Sequence, residues 1–183
     1  MFKLLFFSLF LSFASASPQS WNDPKFDNLL NSCFETGFDV SYMSPDGGKN
    51  KASGIIVFDH GKFRAASSDC QFVFDGKSLC IIYEESKEVV ISRYDGLKSV
   101  LTTLIGPQSS VKPSFSGDKL VSLRIETENG TVVSITVPSF RYLSKIQDSS
   151  YFNKLKDNDR PDKFCTVDCN SLEDRGYVVT DLR

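Results

Sequence analysis

The chain predicts a mainly β domain with some helix: a single antiparallel sheet that curves, covered by amphipathic helices. Three features lead there. From Gly54 to Tyr83, GIIVFDHGKFRAASSDCQFVFDGKSLCIIY, apolar strand-like runs follow one another across short turns. Farther on, Asn129-Gly130 joins two long strand-like segments, the strongest short hairpin signal in the sequence. Two other stretches, after Asp23 and after Asp95, repeat apolar residues at helical spacing instead.

Residues 1–17, MFKLLFFSLFLSFASAS, read as an export signal: Lys3, an apolar run from Leu4 to Phe13, then Ala14-Ser15-Ala16 as the cleavage motif. The mature chain is expected to start near Ser17, with residues 18–183 forming one domain outside the cytoplasm. The apolar run is shorter than the about 20 residues a membrane span needs. Asp23-Pro24 caps a first helix, with Phe26, Leu29, Leu30, Cys33 and Phe34 on one stripe and an end near Gly37. Alternation then takes over, with Phe38, Val40 and Tyr42 on one side and Asp39 and Ser41 on the other, closed by Pro45-Asp46-Gly47-Gly48. Strands follow at Ser53 to Asp59, Lys62 to Ala66, Cys70 to Phe74, Ser78 to Tyr83 and Glu88 to Tyr94, broken at His60-Gly61, Asp75-Gly76 and Glu84 to Lys87. Such short links make neighbours antiparallel.

Asp95 to Ile105 is a second helix, with Leu97, Val100, Leu101, Leu104 and Ile105 on one face and Gly106-Pro107 as its stop. Strands return at Lys119 to Thr127 and Thr131 to Pro138. Phe140 to Leu155 fits strand or helix, 157–161 is loop, and Gly176 to Leu182 reads as a last edge strand.

The sequence is poor in catalytic groups. His60 is the single imidazole, beside Gly61 in a turn, and Asp59 on a strand is expected to point to the opposite face. No G-x-S-x-G, H-E-x-x-H or phosphate-binding glycine loop occurs. Paired carboxylates across strands are invisible to spacing, and Glu84-Glu85 reads as a solvated turn. A formal charge of -2 gives no reason to expect a nucleic-acid partner. The five cysteines are Cys33, Cys70, Cys80, Cys165 and Cys169, and an odd number in an exported chain leaves at least one unpaired within the molecule. Cys165 and Cys169 are close enough in sequence for a local disulfide, whereas a two-residue turn puts Cys70 and Cys80 on opposite faces and a one-residue bulge would bring them together. C-x3-C is a weak metal signal with the one histidine remote, and no metal site is assigned.

What remains is apolar surface. Phe38, Val40, Tyr42, Phe63, Phe72, Phe74, Leu79, Ile81 and Tyr83 are assigned to one sheet face, which would line a concave cavity if the sheet curves. Periodicity of this kind is equally what a filled core requires.

The order of these features resembles the LolA family of periplasmic lipoprotein carriers. The resemblance lies in the first amphipathic helix, the strand ending in Tyr42, Gly54-Ile55-Ile56-Val57, Lys62-Phe63-Arg64, Asp75-Gly76-Lys77-Ser78-Leu79 with Tyr83, and the helix Leu97 to Ile105. The closing Tyr177 to Arg183 is similar to the C-terminal ending of LolA-like proteins from Bacteroidetes. The resemblance implies an unclosed β-barrel with helices as a lid over an apolar cavity, lined by the nine residues above together with Leu97, Leu101 and Leu104. It implies a monomeric periplasmic carrier, not an enzyme and without a cofactor. Such a carrier would take acylated lipoproteins from an inner-membrane ABC transporter, stay transiently near membranes and deliver to the outer membrane. Departures from the family occur at Asp59-His60-Gly61, where members often carry a basic residue and proline, and at Ala65, often tryptophan. Phe63 is assigned to the cavity mouth. The other functions weighed are a general hydrophobic-ligand binder of the same fold and an envelope interaction or sensor module with a filled core.

Overall fold

The computed structural model describes residues 23–43, 48–106, 109–127, 130–150 and 165–183. The signal segment, Pro45 to Gly47, Pro107, Asn129, the loop 157–161 and the end of the ambiguous Phe140 to Leu155 stretch lie outside the described residues.

Helix α1 spans Pro24–Leu30, and the Asp23 carboxylate accepts from the Lys25 amide at 2.8 Å, with proline as the first helical residue. It stops well before Gly37, which corrects the longer helix. The Asn31 side chain donates back to the Asp27 carbonyl, and Cys33 opens strand β1, Cys33–Met43. The helical stripe was ambiguous there because Phe34 fits equally an alternation with Thr36, Phe38, Val40 and Tyr42. Antiparallel pairing with β2, Lys49–Asp59, along the whole of β1 from Cys33↔Asp59 to Met43↔Lys49 outweighs one more turn of isolated helix.

The meander continues through β3 (Lys62–Ser67), β4 (Cys70–Phe74), β5 (Ser78–Tyr83) and β6 (Glu88–Arg93). His60 and Gly61 form the two-residue turn between β2 and β3, with φ of 47° and 82°, the left-handed pair that matches strand twist. At the β4–β5 turn the Asp75 carboxylate accepts from the Lys77 and Ser78 amides. Helix α2, Gly96–Ile105, comes next, followed by β7 (Ser110–Ser116), β8 (Lys119–Glu126), β9 (Val132–Thr136) and β10 (Phe140–Tyr142). Strand β7 was not foreseen, and its Pro113 is tolerated because the strand is an edge. Strands β9 and β10 pair end to end with β1 and bend apart at Ser139, whose hydroxyl lies 2.9 Å from where a Cβ on Gly37 would sit. A 3-10 turn at Ile146–Asp148, a short helix α3 at Cys169–Asp174 and strand β11 at Val178–Asp181 complete the described chain.

All eleven strands form one sheet in the order β11-β6-β5-β4-β3-β2-β1-β9-β8-β7, with β10 beside β1. Strand β11 pairs parallel to β6, so the sheet is mixed where a wholly antiparallel one was expected. A parallel neighbour needs a long crossover, and everything from α2 to α3 intervenes between the two strands.

The sheet must curl. Between β6 and β7 lie eight strand spacings, about 38 Å if flat at ~4.8 Å each. The link has a ten-residue helix, ~15 Å long, and a few extended residues of ~3.3 Å each. Yet Val100 at the middle of α2 is fully buried in a cluster that also holds Leu79 of β5 and Val111 of β7. Only a curved sheet lets one helix reach both ends, and β7 and β11 remain unpaired edges among the described residues. The result is an unclosed barrel wall with α1 and α2 on its concave side.

The convex side is covered by the chain's own C-terminal part. Leu172 and Tyr177 are buried with Val73, Cys80, Ile82, Val89 and Ile91, and Leu143 and Ile146 with Cys33 and Val57. No helix among the described residues is long and apolar enough to cross a membrane.

Candidate functional site

Register and alternation decide which side chains face inward. From Phe34↔Phe58, Phe58↔Phe63, Phe63↔Phe74 and Phe74↔Leu79, every second residue on β1 to β5 shares the concave face. Phe38, Val40, Tyr42, Phe63, Phe72, Phe74, Leu79, Ile81 and Tyr83 all fall on it. Helix α2 lays Leu97, Leu101 and Leu104 against the same cluster. The structure thus brings the sequence-selected residues to one face.

Burial along that face is graded. At the lower end, where β1 starts and β2 ends, Phe34, Phe58, Phe63, Phe74 and Leu79 are all buried. Their rings form a row: Phe140 to Phe34 at 5.2 Å, Phe34 to Phe58 at 5.0 Å, Phe58 to Phe63 at 6.2 Å and Phe63 to Phe74 at 5.7 Å between centroids. Each such contact contributes about 0.5–1.5 kcal/mol beyond area burial. Toward the upper end, where β1 meets β2 and β5 meets β6, Phe38, Val40, Tyr42, Ile56, Ala65, Phe72 and Tyr83 are only half-buried. Phe63 is 8% exposed, so it belongs to the floor and the assignment to the mouth is corrected. Gly54 lies opposite Phe38 in the register, and a Cβ there would sit 2.5 Å from the Phe38 ring and 2.1 Å from the Ala66 carbonyl oxygen. The bare glycine lets that ring lie flat on the sheet.

Other inward residues were missed: Phe34 and Phe58, and on the far strands Val111, Leu123, Ile125, Val133 and Ile135. Alternation in LVSLRIE and VVSIT carried the signal for the last four, while Phe34 was hidden in the supposed helix.

The helices are held by few polar contacts. Asp27 of α1 faces Lys98 of α2 at 3.7 Å, both largely solvated, and Lys25 donates to the Gly117 carbonyl at 3.2 Å in the β7–β8 turn. Among the phenols of the concave cluster, burial pushes Tyr83 and Tyr94 above their ordinary range.

His60 is exposed, as expected for a turn, but the Asp59 carboxylate is not turned away from it: the two side chains meet at 2.6 Å. Another neighbour of that carboxylate is Cys33, whose thiol is pushed up to about 11 by burial first and then by the charge and hydrogen bond of Asp59. Carboxylate, not imidazole, faces the sulfur, so the trio does not generate a thiolate.

On the convex side Arg64 donates to Gln71 at 3.0 Å, Gln71 to Glu84 at 3.0 Å, Tyr177 to Glu84, and Lys87 to Tyr177 at 3.0 Å. This chain of polar groups pins the C-terminal segment to β3, β4 and the β5–β6 turn. All five cysteines are free thiols in this structure, Cys165 and Cys169 among them. Cys165 sits among Lys62, Arg64, Asp59 and Asp75, while Cys169 starts α3 against the cluster around Cys80.

No family model and no curated protein matches the sequence. Among solved structures, an uncharacterized conserved protein from Thermus thermophilus is similar at a TM-score of 0.44 and 10% identity, over 74% of this chain and 91% of the other. A LolA superfamily protein from Nitrosomonas europaea is similar at a TM-score of 0.43 and 8% identity, over 76% and 92%.

Proposed function

We propose that this protein is a carrier of acyl chains, which binds them on the upper part of the concave face, toward the end of α2. The observation that supports this is the burial gradient: a packed aromatic floor continues into half-buried Phe38, Val40, Tyr42, Phe72 and Tyr83. A methylene moved from water onto such a surface contributes about 0.8 kcal/mol. The helices that would yield to the chain are short and tied by solvated contacts, so their displacement exchanges apolar contacts for apolar contacts at small net cost. In this reading the cargo is an acylated lipoprotein, received from an inner-membrane ABC transporter and carried through the periplasm to the outer membrane.

The test is binding of a fluorescent triacylated lipopeptide, with native mass spectrometry of the protein purified from its own host. Phe72→Glu and Tyr83→Glu should each weaken binding at least tenfold while the circular dichroism spectrum is kept. Unchanged affinity in both would overturn the site. Binding of free fatty acid but not lipopeptide would favour a general hydrophobic-ligand carrier, and no acyl binding at all an interaction module with a filled core.

The reading assigns no catalysis. Alkylation of Cys33 should be slow near neutral pH and speed up as pH climbs toward about 11, because the raised value keeps the thiol protonated below it. Rapid labelling at pH 7 would contradict this.

A further inference from the structure

We infer that Cys80 and Cys169 are a disulfide-forming pair that locks helix α3 onto strand β5. Cys80 points to the convex face, since its partner in the register is Val73 and both lie in the cluster with Ile82, Val89 and Ile91. Cys169 is the first residue of α3, and Leu172, one turn later, is buried in that cluster while Cys169 itself packs against it. Both side chains thus belong to one cluster on the convex face, and a negative charge on Cys169 would be felt by the Cys80 thiol. Cys70 is excluded by parity, because it alternates with Phe72 and Phe74 toward the concave side. Cys33 lies in a different cluster, with Val57 and Leu143.

The two thiols have unequal roles. Cys80 is 4% exposed, so a soluble oxidant reaches it only through Cys169. Cys169 is half-buried and open to a small oxidant. Its thiolate attacks a low-molecular-weight disulfide such as oxidised glutathione, forming a mixed disulfide and expelling one reduced thiol. Cys80 then displaces the second: two protein thiols are oxidised by two electrons, one S–S bond forms in the chain, and the oxidant's S–S bond is reduced to two thiols.

The purified full chain would be incubated with oxidised glutathione, alkylated under denaturing conditions, and digested with trypsin plus Asp-N to separate Cys165 from Cys169. The expected result is a fall from five free thiols to three, a Cys80–Cys169 linked peptide, and a higher thermal midpoint in the oxidised form. Cys165→Ser should form the link as before, whereas Cys169→Ser should abolish it and the midpoint shift together. A Cys165–Cys169 or Cys80–Cys165 link as the main product, or five alkylated thiols after oxidation, would overturn the assignment.

Discussion

The two faces of the sheet are built from alternate residues of the same strands, yet they are finished differently. The convex face is sealed by the chain itself: Leu143, Ile146, Leu172 and Tyr177 cover it, and the series Arg64, Gln71, Glu84, Tyr177, Lys87 fastens the cover. The concave face has a comparable packed floor at one end, which α1 and the start of α2 cover, but the side chains at its other end are left half-buried. A protein that needed only stability would finish both faces alike. The difference separates the part of the apolar surface that is packed shut from the part whose side chains stay half-buried.

Substitutions can widen or erase that contrast. Phe74→Ala in the floor should cost the most, about 3–5 kcal/mol in urea unfolding, since Phe74 is fully buried. A loss below about 1 kcal/mol would mean the floor is not the structural part. On the convex side, Tyr177→Phe removes the hydroxyl shared by Glu84 and Lys87, and about 1–2 kcal/mol should go with it. Phe38→Ala at the upper end should cost only about 1 kcal/mol, yet weaken acyl binding more than Tyr177→Phe does; equal binding in the two variants would remove the functional distinction between the faces. Smallest of all, Asp27→Asn should change stability by less than about 1 kcal/mol, and the change should vanish in 1 M salt. Its mark would be faster release of a bound probe at low salt, measured by stopped-flow fluorescence.

Much of this was visible in the sequence because strand alternation is a strong periodic signal. The turns at His60-Gly61 and Asp75-Gly76 set the register, and register with period two assigns Phe63, Phe72, Leu79 and Tyr83 to one face without coordinates. What alternation cannot give is position along the strand axis, which is why Phe63 was assigned to the mouth and lies in the floor. Nor can local pattern separate two periods that coincide for a turn, as they do at Cys33-Phe34. The parallel pairing of β11 and the short helix α3 depend on contacts with β6 and with the Cys80 cluster, far away in the chain. Strand β7, with a proline at its centre, lacks the composition of a strand and pairs with β8 alone among the described residues.

The cover on the convex face has a consequence for how the molecule is made. Synthesis runs from the N-terminus, so Val73, Cys80, Ile82, Val89 and Ile91 exist long before Leu172, Tyr177 and β11, which hide them. For most of its growth the chain therefore presents a greasy strip and an unpaired β6 edge, the features that draw nascent chains into aggregation. The last nineteen residues described, 165–183, act as a delayed seal. A chain cut short before them would leave that strip uncovered.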